Sequence, residues 1–211
     1  MCSSDLFTQP TLIEILAGFA VAAIAGILLG IVVSFSELAK RTVYPLLVSS
    51  QMVPKVAIAP VFIIWFGTGL EAKVLISFLI AFFPIMVSTM VGLEAIEADM
   101  VRLFRSMGAG PYRTFMKLRL PAALPNIFAG LKIGMSLAVV GAVVAEFVAA
   151  DRGLGYYLLY ANGQLDTPGV FGALLLLTVI GVILYYMVEG VERIFVPRSL
   201  SKDGDPTQAS M

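Results

Sequence analysis

The sequence predicts an all-α polytopic membrane bundle of five transmembrane helices with a helical loop on the cytoplasmic side. Three observations lead there. Of the 211 residues 59% are apolar and 13% charged, against about 45–50% and roughly 25% in soluble domains. Apolar runs recur near the ~20 residues that a membrane helix needs. Basic residues collect in alternate loops, as the positive-inside rule requires. Mean hydropathy is +0.96. Fourteen basic residues balance fourteen acidic ones, so nothing attracts nucleic acid. With no histidine and only Cys2, neither His catalysis, a Cys-cluster metal site nor an intrachain disulfide is available.

The first span is Ile15–Ser36, which is too long and lacks the basic flank of a signal peptide. Gly18, Ala22, Gly26 and Gly30 recur at spacing four, a pattern that lets helix backbones approach closely in lipid. The second span, Val43–Phe66, contains Pro54 and Pro60 and is expected to kink. Broken backbone at membrane depth needs protein or water around it, so this segment is expected inside the bundle. Gln51, Pro54 and Lys55 are candidate pathway residues there, with snorkelling of Lys55 as the competing reading. Val74–Leu93 forms the third span and Pro121–Phe147 the fourth. The fourth carries a second ridge, Gly130, Gly134, Ala138 and Ala142, together with Lys132 and Glu146. These two charges are expected on one interior face but about 21 Å apart, with Lys132 deep in the membrane and Glu146 near the outer end, open to solvation. Thr167–Val188 is the fifth span.

Ten of the fourteen basic residues fall in 37–42, 94–120 and the C-terminal region. That side is the cytoplasm, which places the N-terminus outside and calls for one more helix before Thr11. Met1–Leu6 also matches one reading frame of a sequencing adapter, so residues 1–10 are expected to be non-native or disordered. Residues 11–198 are then the membrane domain, and 199–211 a disordered cytoplasmic tail.

The stretch 94–120 is too long and too patterned for a passive connection. Ile96, Met100, Leu103 and Met107 recur at helical spacing. Gly108 suits a left-handed cap. Pro111 is placed to start a second short helix, Pro111–Leu118, and Pro121 to begin the next span. An exposed apolar stripe on the cytoplasmic side asks for the lipid interface or a protein groove, and the helix-turn-helix geometry favours protein.

Here the residues resemble the EAA loop of permease subunits of bacterial ABC importers. Gly108 takes the Gly position, Leu118 stands where Ile is usual, and Leu120-Pro121 completes the motif, whereas Arg102-Leu103-Phe104 replaces Glu-Ala-Ala. Pro54–Gly69, Phe82–Ile85, and Ala145–Phe147 followed by Gly153–Tyr156 are similar to the nitrate/sulfonate/taurine branch, whose members have six membrane helices.

The resemblance implies coupling to a separate ATPase through Arg102, Leu103, Phe104, Arg105, Ser106, Gly108, Ala109, Leu118, Leu120 and Pro121. It implies a second permease copy, expected as a homodimer, an extracytoplasmic substrate-binding protein, and residence in the bacterial inner membrane. ATP is bound by the partner, so no cofactor or metal is expected on this chain. The nearest approach to a phosphate loop, Gly67–Val74, has Ala72 and Val74 where Gly and Ser/Thr are needed. Two lysines in the spans favour an anionic solute. Gln51–Lys55 also resembles permeases for a thiamine-pyrimidine precursor or riboflavin. An ion-coupled secondary transporter is the alternative of another class. It calls for paired intramembrane carboxylates or inverted repeats, of which only Glu146 is in view.

Overall fold

The computed structural model describes residues 2–96, 98–149 and 151–196. The described residues are helical apart from short connections. The helices are α1 (Cys2–Ser34), α2 (Glu37–Gln51), α3 (Lys55–Phe66), α4 (Leu70–Glu94), α5 (Ala98–Ser106), α6 (Pro111–Thr114), α7 (Leu120–Ala149), α8 (Leu154–Gly163) and α9 (Thr167–Phe195), with a π turn at Phe115–Arg119 between α6 and α7. Four helical stretches are long and apolar enough to span a membrane, and α2 with α3 makes a fifth, broken one, bent by 91°. α1 begins at Cys2, so residues 2–10, expected to be non-native or disordered, are helical here. The tail 199–211 lies outside the described residues.

α4 is the centre of the bundle, sandwiched between α1 and α7. Small residues set the approach on both sides. A Cβ added at Gly18 would lie 2.5 Å from Ser77, and at Gly30 2.8 Å from Thr89. From α7, Gly130 meets Ser88, and Gly134 meets Ile85, which also faces Gly26 of α1. Ile85, Met86, Ala81, Ile15 and Ala138 fill the core between these ridges. In lipid such close van der Waals packing supplies much of the association energy, because apolar burial from water no longer does.

Contacts pair the ends as the charge pattern groups them. At the basic end Lys40 bridges Glu94 at 3.3 Å, Phe35 packs on Phe115, and Phe128 packs on Phe195. At the opposite end the starts of α1 and α4 meet the end of α7 and the start of α8.

Two expectations change. Pro111–Leu118 is not a separate short helix. α6, the π turn and α7 run on as one stretch, Pro111–Val148, of 38 residues. Pro121 has no N–H to offer the Lys117 carbonyl and crowds the preceding turn, and the wider π turn, in which Leu120 N–H bonds Phe115 O, lets the chain pass. Secondly, Val43–Phe66 does not lie inside the bundle of the single chain. Ala59 is the buried residue of α3, while Leu46, Ile64 and Trp65 are exposed.

Candidate functional site

At the basic end, α5 projects with little support. Met100, Leu103 and Met107 are exposed and Phe104 is half-buried, so the apolar stripe lies open. Arg102 and Arg105 flank it; Arg102 pairs with Asp99 at 3.5 Å, and the Ser106 hydroxyl donates to Leu103 O at 2.8 Å. The helix ends in a Schellman motif. Gly108 has φ +79°, its N–H bonds Arg105 O at 3.0 Å, and Ala109 N–H reaches back to Phe104 O at 3.1 Å. Gly110 then precedes Pro111 at the first helical position. Leu118, Leu120 and Pro121 are half-buried along the π turn and the start of α7. These residues share one cytoplasmic corner.

The second feature is the elbow between α2 and α3. Gln51, Met52, Val53 and Pro54 are exposed. No side chain caps the first turn of α3, where Ala57 N–H bonds Pro54 O at 2.8 Å. Lys55 is half-buried and its Nζ sits over the Phe83 ring, 4.3 Å from the centroid, a cation–π contact that holds the ammonium against α4.

The remaining candidate pathway residues lie elsewhere. Lys132 is not an isolated charge. Its Nζ is 2.7 Å from Glu192 Oε2, near the basic end of α9. Glu146 is not solvated; it is 1% exposed. Thr11 donates to Oε1 at 2.6 Å and Gly155 N–H donates to Oε2 at 2.5 Å. Thr11 in turn accepts from Leu154 N–H at 2.9 Å. Glu146 thereby joins α1, α7 and the start of α8. A Cβ at Gly153 (φ +120°) or Gly155 would collide with its carboxylate, which is why glycine stands at both positions.

Beside this network Lys73 donates to Glu14 Oε1 at 2.9 Å, both side chains being buried. Sequence reading missed this pair. The signal was present: Glu14 is the last charge before the first apolar run and Lys73 the last before the third span, both on the outer side. A buried ion pair of this kind is held by geometry and is strongly destabilised when one partner is removed. Among the described residues no group of three or more acidic, Cys or His side chains is arranged to hold a metal.

The chain matches the family model "Binding-protein-dependent transport system inner membrane component" over residues 22–200. It is 40% identical over 187 residues to the formylaminopyrimidine transport permease protein ThiX of Halalkalibacterium halodurans, covering 89% of this chain and 75% of the relative. It is 32% identical over 193 residues to the putative aliphatic sulfonates transport permease protein SsuC of Bacillus subtilis, covering 90% and 70%. Its fold is similar to a chain of the inward-facing MetNI methionine ABC transporter, with TM-score 0.75, 21% identity, and coverage of 90% and 94%. The open cytoplasmic corner, the broken second span and the ordered match across the bundle agree, and the chain belongs to the family of binding-protein-dependent transport system inner membrane components, the multi-pass permease subunits of ABC importers.

Proposed function

We propose that this chain pairs with a second copy to enclose a translocation pathway at the α2–α3 elbow, and that a separate ATPase drives it through α5. The observation that carries the pathway is the elbow itself. Its backbone is broken by 91° within an otherwise apolar span and is exposed on the single chain. Broken backbone is tolerated at membrane depth only against protein or a water-filled cavity. A second copy laid against this face supplies both, and transporters place discontinuous helices at such sites. Gln51, Pro54 and Lys55 stay in the pathway on this reading. Lys132 and Glu146 leave it, because each is committed to a partner.

ATPase coupling rests on α5. Its open stripe of Met100, Leu103 and Met107 with flanking Arg102 and Arg105 fits a groove on a soluble subunit. An extracytoplasmic binding protein delivers the solute to the opposite end.

For the solute, an aminopyrimidine or a similar nitrogen heterocycle is the first reading. The permeases named for formylaminopyrimidine and for riboflavin are each 40% identical, against 32% for the sulfonate one, and the elbow Gln51–Lys55 resembles both of the former types. The argument for an anion rested on two charged lysines in the spans, and one of them, Lys132, is neutralised by Glu192. A sulfonate is the second reading, supported by Lys55. The test is uptake into vesicles holding this permease, its ATPase and its binding protein. Formylaminopyrimidine uptake is expected to need ATP and to ignore a collapsed proton or sodium gradient. Uptake that follows the gradient without ATP contradicts the reading.

A further inference from the structure

The outer end of the bundle holds a cavity of about 640 Å³ between the start of α1, the α3–α4 turn and the α7–α8 connection. Gln9, Glu14, Thr68, Lys73, Asp151 and Arg152 supply its polar lining. Glu14 is 1% exposed, yet it uses only one of its two carboxylate oxygens. Oε1 accepts from Lys73, whereas the buried Oε2 has no hydrogen-bond partner among the described residues. A buried charged acceptor left unpaired is destabilising, and a donor that reaches it is correspondingly favoured. The surroundings set the charge of that donor. Lys73 is already committed to Oε1, Asp151 and Arg152 offset one another at the mouth, and Glu146 stands behind as a further carboxylate within electrostatic reach of both Glu14 and Lys73. Among these buried groups Lys73 is the one cation, and its ammonium is already on Oε1.

We propose that this cavity is an extracytoplasmic binding site for a cationic N–H donor group, such as a guanidinium, amidinium or alkylammonium, which bonds Glu14 Oε2 while Lys73 keeps Oε1. The site stands on its own geometry and does not depend on the solute reading above. The donor arrives either on a free solute or as an Arg or Lys side chain of the docked binding protein. An anion is disfavoured, since it would have to take Lys73 from Glu14 and leave that carboxylate unpaired.

The full chain in nanodiscs provides the test. Saturation-transfer NMR on the added probe reads its binding directly and suits millimolar affinity. Methylguanidinium is expected to give a saturable change with half-saturation of about 1 mM, a realistic affinity for so small a probe. Tetramethylammonium, which has charge but no N–H, and methanesulfonate are expected to give none. Glu14→Gln is expected to weaken the methylguanidinium response tenfold or more, and Asp151→Asn at the exposed mouth about threefold. The probe comparison needs no variant, so it holds even where Glu14→Gln misfolds. No saturable response, an equal response to tetramethylammonium or methanesulfonate, or unchanged binding by a folded Glu14→Gln protein overturns the site. Methylguanidinium that blocks docking of the binding protein assigns the donor to that protein, and ATP-dependent uptake of methylguanidinium assigns it to the solute. Binding with neither consequence rejects a part in transport.

Discussion

Glu146 shows how one side chain changes meaning between sequence and structure. As a lone carboxylate near the end of an apolar run it reads as a pathway or solvated group. In the bundle it accepts from Thr11 and from the first turn of α8, with glycine at 153 and 155 making room for it. Thr11 lies 135 residues away, and no local pattern encodes that partnership. Glu146→Ala leaves the buried Gly155 N–H without its acceptor and the Thr11 hydroxyl with only Phe7 O, and is expected to cost about 1–3 kcal/mol, read as a lower melting temperature in detergent. The Lys132–Glu192 pair makes a different prediction. Lys132→Met and Glu192→Met alone are each expected to destabilise, and the double variant to recover much of the loss, with a coupling of about 1 kcal/mol. Additive losses in the double-mutant cycle would remove the pair from the account.

At the scale of elements, the cytoplasmic corner was the most legible part. Apolar spacing in 94–107 and the Gly108 cap define a short helix with an open stripe, and α5 with its Schellman end has that form. What followed was less legible. Pro111 and Pro121 both suggest helix starts, but the π turn between them joins α6 to α7 without a break. Prolines also marked the elbow correctly as a break, though not its place on an exposed face of the chain. Gly108→Val forces a β-branched residue into the left-handed region, where L residues cost about 1–2 kcal/mol. No neighbour crowds the position, so membrane insertion is expected to be normal. Uptake is expected to fall at least tenfold, and Gly108→Asn, which tolerates this conformation, to retain most of it. Equal loss in both variants would point to something other than the cap.

The whole molecule is a three-layer packing of α1, α4 and α7, tied by small-residue ridges through its length and by buried polar contacts at its outer end. The apolar spans were legible because lipid imposes a length on any spanning helix. Which helix is central, and which charges pair, was not, because both depend on contacts far apart in sequence. Tying the outer ends while leaving α5 open at the other leaves the cytoplasmic side as the place where a partner can bias the bundle. The most direct test of that arrangement places a cysteine at Leu103 on the α5 stripe, and at Leu165 on the exposed outer turn, in the assembled transporter. A cross-link from Leu103→Cys to the ATPase, with none from Leu165→Cys, is the result expected. ATPase cross-links from Leu165→Cys, or none from Leu103→Cys in an assembled, transporting complex, would contradict the account.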